Sequence, residues 1–266
     1  MDQKRALLET RLKTYKSAGL AFSGGADSSF LLAAMKEAGM DGLAAFLVIT
    51  DFVPRREVEY ARAMALKIGV DLVCIEMDIL SDPDVAANTD QRCYHCKKKM
   101  FSRIKKEAGR MGIDFLVHAC NMDDFNDYRP GMRAAEELGF MAPLAEAGFT
   151  KADVRSESKI MGLDSWDRPS QSCLATRIPY GTAIEAGVLS RIDQAETFLL
   201  ALGAGQVRVR CHGSLARIEV APGEQAALFE GAVRKRISEA FRTIGFDYVC
   251  VDLDGYQTGK MNYEIR

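Results

Sequence analysis

The stretch GLAFSGGADSSFLLAAM, residues Gly19–Met35, decides the fold, because its apolar run breaks after Phe22 and then resumes in a helical pattern. This order predicts a buried strand, a tight turn and a helix. Gly24 and Gly25 let the backbone come close to a ligand, and the first N–H groups of a helix favour an anion. We therefore predict a phosphate site rather than a simple turn. Its expected residues are Ser23, Gly24, Gly25, Asp27, Ser28 and Ser29.

Asp27 has a separate role in this prediction, because its carboxylate would repel a bare phosphate. Mg²⁺ commonly takes its oxygen ligands from one or two carboxylates together with nucleotide phosphates. We therefore expect Asp27 to bind Mg²⁺. The turn is not a Walker motif, since it lacks the Gly-Lys-Ser/Thr sequence.

Three further apolar segments alternate with helical patterns in the first half of the chain. They are LAAFLVIT (Leu43–Thr50), DLVCIEM (Asp71–Met77) and DFLVHAC (Asp114–Cys120). Strands separated by helices predict an α/β fold with a mostly parallel sheet, and ligands of such sheets bind beyond the carboxyl ends of the strands. We expect the polar segments at those ends to form one crevice: the Ser23 turn, Thr50-Asp51, the loop before Cys93, and Asn121–Asp124.

A different pattern begins near Glu185, where one helix is followed by two strands, a second helix and a third strand. The strands alternate apolar and polar residues, which is typical of an antiparallel sheet with one solvated face. We predict a parallel-sheet domain over residues 1–180. A smaller α+β domain over residues 181–266 is expected to serve substrate binding or oligomerisation. Thr150 and Asp153 have the spacing of a capping box, which predicts the start of a helix.

Composition and charge argue against several classes of function. The 266 residues include 35 Lys and Arg against 37 Asp and Glu, giving a net charge of −2, and no positive excess favours a nucleic-acid partner. No apolar run is long enough to cross a bilayer, and the charged N-terminus is unlike a signal peptide. We expect a cytoplasmic protein without membrane or nucleic-acid partners. Seven cysteines in that compartment indicate metal binding or catalysis more than disulfides.

Three of the cysteines are candidate metal ligands. Cys93 and Cys96 form a C-x-x-C pair in RCYHCKKK, a polar segment that predicts a loop. Cys173 lies in SQSCLATRIPYG, an irregular segment in which packing has little need of a thiol. Three thiolates fit a [4Fe–4S] cluster with one iron left open, whereas a structural zinc site or a redox pair is the alternative. The other cysteines are expected to pack in strands or at a strand end: Cys74, Cys120, Cys211 and Cys250.

The turn SGGADSS, in its place after the first strand, resembles the pyrophosphate loop (PP-loop) of the N-type ATP pyrophosphatases. The resemblance extends to about Phe125. It implies that ATP is cleaved between its α- and β-phosphates, which leaves AMP on a substrate oxygen and releases pyrophosphate. It also implies that Val48 and Thr50 hold the adenine edge, and that Asn121 and Asp124 hold the nucleotide or its metal ion.

A narrower resemblance extends over nearly the whole chain. The motifs RCYHCK, WDRPSQSCLATRIPYG, AETFLLALGAGQVRVRCHG and GYQTGKMN occur in the order of the LarE family. Members of that family use ATP to convert pyridinium-3,5-biscarboxylic acid mononucleotide, a nicotinate-derived precursor of the nickel-pincer cofactor, into its thiocarboxylate form. One branch sacrifices the sulfur of the cysteine that matches Cys173. The other branch has three cysteines and a [4Fe–4S] cluster, and this sequence, with Cys93, Cys96 and Cys173, resembles the second.

The LarE resemblance also implies roles for charged residues and for partners. Glu196, Arg208 and Arg210 match a site for the substrate phosphate, and alternation along a strand puts the two arginines on one side. Arg177 is expected to contact AMP or the substrate. A sulfide or sulfur donor and a homo-oligomeric assembly are implied, with ATP, Mg²⁺ and the [4Fe–4S] cluster as cofactors. The expected catalytic residues are Asp27, Cys173 and Arg177.

Other functions remain open at this point. A transfer-RNA thiolase of the PP-loop class also combines this loop with cysteines, but it would need an extended basic surface. A zinc-stapled nucleotide-binding protein would use the cysteines for structure alone. A glutamine-dependent synthetase would need a glutaminase domain, and the sequence shows no segment that resembles one.

Overall fold

The computed structural model describes residues 2–126 and 130–257, so only the Gly255–Gln257 part of the motif GYQTGKMN is described. The chain forms two compact units. The first unit consists of Met1–Ile79 and Gln91–Gln171, and the second of Leu80–Asp90 and Ser172–Arg266. The predicted domain boundary after residue 180 stays a prediction, because compactness alone does not show which segments fold as domains.

Helices and strands alternate through most of the described chain. The helices are α1 (Asp2–Leu12), α2 (Ala26–Glu37), α3 (Arg55–Ile68), α4 (Pro83–Ala86), α5 (Arg92–Arg110), α6 (Pro130–Glu137), α7 (Pro143–Glu146), α8 (Lys151–Ile160), α9 (Ala186–Ala201), α10 (Gln225–Leu228) and α11 (Gly231–Ile244). The strands are β1 (Ser17–Ala21), β2 (Gly42–Ile49), β3 (Asp71–Glu76), β4 (Leu116–His118), β5 (Val207–His212), β6 (Leu215–Val220) and β7 (Tyr248–Val251). Short 3₁₀ helices lie at Met122–Asn126, Leu174–Arg177 and Pro222–Glu224. In the described ranges we find no helix with the length and apolar character needed to span a membrane.

The first unit is built around a sheet with the strand order β3-β2-β1-β4. Every neighbouring pair of these strands is parallel, which confirms the predicted α/β fold. Within the sheet, β2 and β3 lie on one side of β1, whereas β4 lies on the other side of β1. The strand order therefore reverses between β1 and β4, and parallel sheets bind ligands outside the carboxyl ends of their strands at such a point.

Helices cover both faces of this sheet, and β2 shows why. Ala45 and Leu47 pack in one apolar cluster with residues of α1, α2, α3 and α8. Ala44, Phe46 and Val48 point to the opposite face and pack in a second cluster with residues of α5 and α6. Successive side chains of a strand point to opposite faces, so an unbroken apolar strand needs a helical layer on each side. Each such Leu or Phe contributes about 1.5–3 kcal/mol when it is buried.

One predicted loop is wrong. The polar segment before and through Cys93 was expected to be irregular, but α4 begins at Pro83 with Asp82 as its N-cap, and α5 begins at Arg92. Residues from Arg92 onward are mostly good helix formers without Gly or Pro for several turns, so the polarity reflects a solvated helix face. The capping box at Thr150 and Asp153 is confirmed by both of its hydrogen bonds.

The second unit contains a sheet with the order β5-β6-β7. The predicted antiparallel pairing is right for β5 and β6, but β7 is parallel to β6. The reason is the intervening helix α11, which carries the chain back to the starting end of the sheet before β7. A helical crossover of this kind connects parallel strands.

Candidate functional site

Residues 23–29, between β1 and the first turn of α2, are called the phosphate loop. Gly24 has a φ of +75°, a left-handed conformation that costs a residue with a side chain about 1–2 kcal/mol. A Cβ atom on Gly24 would lie 2.8 Å from the Cα atom of Ala61 in α3, so the loop packs directly on that helix. Gly25 precedes the first residue of α2, and within the described residues no side chain caps this helix N-terminus. The first N–H groups of α2 therefore suit an anion.

The serine hydroxyls of the phosphate loop bond mainly to the loop itself. Ser28 Oγ donates to the Gly25 carbonyl at 3.1 Å and also lies 3.1 Å from Ser23 Oγ. Ser29 Oγ donates to the Gly24 carbonyl at 3.2 Å, and Ser29 is fully buried. Ser28 and Ser29 therefore stabilise the loop conformation, whereas Ser23 is exposed and can reach a ligand.

Asp27 lies where the strand order reverses, between the ends of β1 and β4. Its Oδ1 accepts a hydrogen bond of 3.1 Å from Asn121 Nδ2, and its Oδ2 forms an ion pair with Lys151 Nζ. The side chains of Asp27 and Lys151 are 21% and 29% exposed, so a ligand can reach both. Sequence reasoning missed Lys151. The signal that could have found it is its position as the first residue of α8, directly after the capping residue Thr150.

The residues after β4 form a second polar turn beside the phosphate loop. The backbone N–H of Asn121 donates to Asp124 Oδ2 at 3.1 Å, and Asn121 Oδ1 accepts from the N–H of Asp123 at 3.0 Å. Asp123 Oδ2 accepts from the backbone N–H of Lys151 at 2.7 Å. Asn121 thus joins Asp27 to the turn that carries Asp124. Two of the four polar segments that were predicted to form one crevice, the Ser23 turn and Asn121–Asp124, are therefore in contact.

Val48 and Thr50, which were expected at the adenine, lie at the carboxyl end of β2, the strand next to β1. Both residues are buried. Thr50 Oγ1 accepts a hydrogen bond of 3.2 Å from the N–H of Phe52, which stabilises the turn after the strand. Val48 and Thr50 share a sheet edge with the phosphate loop, and their contact with a nucleotide stays a prediction.

Cys93 and Cys96 lie three residues apart near the start of α5, so their thiols share one face of the helix. Cys96 is buried and Cys93 is partly exposed. A Cβ atom on Gly131 in α6 would lie 2.8 Å from Lys97 Cγ and 3.3 Å from Cys93 Sγ, so this glycine allows α6 to pack closely against α5 beside the thiol. The positive end of a helix stabilises thiolates. The pair therefore has the thiol chemistry that metal binding needs, and a metal centre at this place stays a prediction.

The third candidate ligand, Cys173, belongs to the second unit, whereas Cys93 and Cys96 belong to the first. Over residues 2–126 and 130–257, no three histidine, cysteine, aspartate or glutamate side chains are grouped closely enough to hold a metal ion. The shared centre on three cysteines therefore stays a prediction.

Cys173 is exposed on a turn that Arg177 holds in place. Arg177 Nη1 lies 2.8–2.9 Å from four oxygens, the carbonyls of Ser172 and Cys173 and the hydroxyls of Ser172 and Thr176. Its Nε and Nη2 form a bidentate ion pair with Glu196, at 2.8 and 3.0 Å. Arg177 is 1% exposed and Glu196 is fully buried. This geometry favours a positioning role for Arg177, and its expected contact with AMP or substrate stays a prediction.

Arg208 and Arg210 lie on β5, and both are buried. Arg210 forms a bidentate ion pair with Glu219 of β6, at 3.0 and 2.8 Å. Its Nη1 donates to the Thr176 carbonyl at 2.5 Å. The turn that carries Cys173 is therefore hydrogen-bonded by Arg177 and, through Thr176, by Arg210.

The charges of this second group favour an anion. Burial and the neighbouring Arg177 guanidinium lower the pKa of Arg208 to about 10, so Arg208 still carries its charge at neutral pH. Arg217 also donates to Glu219, at 3.2 Å, so guanidinium groups outnumber carboxylates here, and guanidinium groups suit a phosphate. We call this group the arginine cluster: Arg177, Arg208, Arg210, Glu196 and Glu219.

Several known proteins are similar to this chain over most of its length. A family model described as asparagine synthase matches residues 5–105, which include the phosphate loop. An uncharacterised protein of Synechocystis is 36% identical over 96% of this chain and 98% of its own length. An uncharacterised protein of Methanocaldococcus jannaschii is 30% identical over 90% of each chain.

A third relative has an assigned activity. The pyridinium-3,5-bisthiocarboxylic acid mononucleotide synthase of Lactiplantibacillus plantarum is 33% identical over 97% of this chain and 94% of its own length. The aligned region therefore covers nearly the whole length of both chains. This chain belongs to the LarE family of ATP-using PP-loop enzymes, together with that synthase.

Proposed function

We propose that this enzyme is a sulfur transferase that adenylates the carboxylates of pyridinium-3,5-biscarboxylic acid mononucleotide and converts them to thiocarboxylates. The observation that carries the proposal is the bonding within the second unit. An exposed thiol, Cys173, lies on a turn that is hydrogen-bonded by two buried members of the arginine cluster, Arg177 and Arg210. The phosphate of a mononucleotide substrate can bind to such a cluster. The carboxylates of the substrate, at its other end, are then available for adenylation and sulfur transfer.

The first chemical step is adenylation. A substrate carboxylate attacks the α-phosphorus of ATP, and pyrophosphate leaves with the electron pair of the broken P–O bond. The N–H groups of the phosphate loop and the ammonium of Lys151 would stabilise the charge on the phosphates. Such a displacement depends on positioning and charge neutralisation more than on a base.

Asp27 also fits the predicted Mg²⁺ role. One carboxylate with nucleotide phosphates and water is enough for Mg²⁺, and Asp27 is partly exposed beside the phosphate loop. In the structure, the Asp27 carboxylate forms an ion pair with the Lys151 ammonium. Binding of the metal to Asp27 would release Lys151 to a phosphate oxygen, so the ion pair keeps both groups in place before ATP arrives.

The second step forms the C–S bond and releases AMP. Cys93, Cys96 and Cys173 would hold the [4Fe–4S] cluster, whose open iron would supply sulfide as the nucleophile. The shared helix face of the first two thiols supports this choice. Arg177 would keep Cys173 at a constant place while each of the two carboxylates is converted in turn.

Sacrifice of Cys173 is the alternative source of sulfur. In that reaction the Cys173 thiolate displaces AMP. Its Cβ–S bond then breaks as the Cα proton leaves, giving a thiocarboxylate and a dehydroalanine residue. The exposure of Cys173 is compatible with this reaction also. It can run only once for each chain, whereas a cluster that is reloaded can run repeatedly.

Anaerobic reconstitution with iron and sulfide tests the proposal directly. With ATP, Mg²⁺, sulfide and the dicarboxylate mononucleotide, we expect more thiocarboxylate than enzyme on a molar basis. The product would be quantified by mass spectrometry, with unreconstituted protein as the control. Product capped at one sulfur per chain, with Cys173 lighter by H₂S, would show that the sulfur is sacrificial. No product in either preparation would contradict the proposed activity.

The phosphate loop gives a second prediction. Gly24→Ala is expected to raise the KM for ATP at least about tenfold, because the new methyl group meets Ala61 and shifts the N–H groups of the loop. Gly39→Ala is a matched control, since Gly39 has a similar φ of +72° but nothing within 4 Å of its Cβ position. Both variants should lose about 1–2 kcal/mol of unfolding free energy from the backbone conformation alone.

Pyrophosphate release and urea unfolding would measure the two effects. Only the Gly24 variant should lose affinity for ATP. An equal change of KM in both variants would mean that the contact with Ala61 does not shape a nucleotide site.

A further inference from the structure

The motif GYQTGKMN has no role in the mechanism above, yet its described part reaches the arginine cluster. The backbone N–H of Tyr256 donates to the Val220 carbonyl at 2.8 Å. Val220 ends β6 and pairs with Val207 of β5. Tyr256 is therefore hydrogen-bonded to the strand at the level of the residue just before Arg208.

The path of the backbone to Tyr256 requires a glycine. Gly255 has a φ of +68°, and a Cβ atom on it would lie 2.6 Å from the Val220 carbonyl oxygen. Gln225 Nε2 fixes the preceding turn, because it donates to the carbonyls of Asp252 and Leu253 at 3.0 and 3.1 Å. Several specific contacts therefore fix the position of Tyr256.

The aromatic ring of Tyr256 lies against Arg208. The Cζ atom of Arg208 is 5.0 Å from the ring centroid, within the range of a cation–π contact. Arg208 is 2% exposed, and a desolvated contact of this kind is stronger than an exposed one. Arg208 Nη1 also donates to the Val207 carbonyl at 2.8 Å. The N–H groups of a guanidinium all lie in one plane, a geometry that suits a phosphate.

We propose that Tyr256 is a positioning residue for the substrate phosphate: its ring sets the plane of the Arg208 guanidinium so that the guanidinium edge bonds the phosphate. The inference rests on the proposed function, because it takes the arginine cluster as the phosphate site. A positioning role of this kind makes the enzyme select a nucleotide over the corresponding nucleoside. This selectivity depends on the aromatic ring of Tyr256 and not on its hydroxyl.

Binding of unreactive probes to the full chain tests this role without sulfur transfer. Nicotinate mononucleotide and its phosphate-free riboside would be titrated by calorimetry. Tyr256→Leu and Tyr256→Met should each weaken binding of the mononucleotide about tenfold, the scale of a buried cation–π contact. Tyr256→Phe should stay within about twofold of the parent chain. Tyr248→Leu removes an exposed tyrosine of the same unit and should change nothing.

The riboside and a double substitution separate positioning from general damage. Binding of the riboside should be the same in all variants, and Tyr256→Leu should have little further effect in an Arg208→Lys background. Unchanged binding of the mononucleotide in Tyr256→Leu, or equal weakening of the riboside, would overturn the role of Tyr256. A parent chain that binds both probes equally would overturn the phosphate site itself, and with it this part of the proposed function.

Discussion

Cys173→Ala is expected to abolish thiocarboxylate formation, with a loss of at least about 10³-fold, the scale seen when an essential reacting group is removed. Both sources of sulfur considered above require the Cys173 thiol, as a cluster ligand or as the sulfur donor. Adenylation should continue within a few-fold of the parent rate, because the phosphate loop, Asp27 and Lys151 belong to the first unit.

The measurement is a pair of assays on the same anaerobic preparation. Pyrophosphate release reports adenylation, and mass spectrometry of the product reports sulfur transfer. Cys250→Ala is the matched control, because this thiol is half-buried in β7 and burial raises its pKa, which makes it a poor nucleophile at neutral pH. Normal thiocarboxylate formation by Cys173→Ala would exclude both proposed sources of sulfur.

Cys93→Ala distinguishes the two sources. Loss of sulfur transfer in this variant, together with loss of bound iron, is the result expected for a cluster on three cysteines. Retention of one sulfur per chain is the result expected for sacrifice of Cys173, because that reaction needs no other thiol. Iron analysis and product analysis would be made on the same sample.

Glu196→Ala is expected to lower the free energy of unfolding by about 3–5 kcal/mol, the cost of removing one partner from a buried ion pair. Glu196 is fully buried, forms the bidentate pair with Arg177 and accepts a hydrogen bond of 3.1 Å from the Val209 N–H. Its loss leaves the Arg177 charge without its bidentate partner inside the protein. Sulfur transfer should fall as well, because Arg177 would no longer hold the turn of Cys173.

Urea unfolding followed by circular dichroism measures the stability change. Glu239→Ala is the control, because Glu239 forms an exposed ion pair with Lys235, and such a pair is worth about 0–1 kcal/mol. A loss below about 1 kcal/mol for Glu196→Ala would mean that the pair with Arg177 contributes little net stability.

The secondary structure around the phosphate loop was predicted correctly from the sequence. The apolar residues before Ser23 and the helical pattern after Gly25 predicted a strand, a turn and a helix, and this order is confirmed. The α/β class followed from the alternation of such segments, and the LarE family followed from motifs along nearly the whole chain. These features depend on residues close together in sequence, where propensity and hydrophobic periodicity act directly.

Polarity misled the prediction around Cys93, because a solvated helix face and a loop contain similar residues. The parallel pairing of β7 was missed for another reason. Alternation of side chains predicts a strand, but the direction of its neighbour depends on the path of the helix between them. The buried ion pair of Arg177 with Glu196 was also not foreseen, whereas the expected contact of Arg177 with AMP or the substrate stays a prediction.

The order of most strands and helices and the glycine turn could be read from local patterns in the chain. The ion pair of Lys151 with Asp27, which joins residues 124 positions apart, could not, and neither could the anchoring of the Cys173 turn by two buried arginines. Those contacts exist only after distant segments pack together. Packing excludes water from charged groups and so determines which of them must pair with each other and which can still bind a ligand.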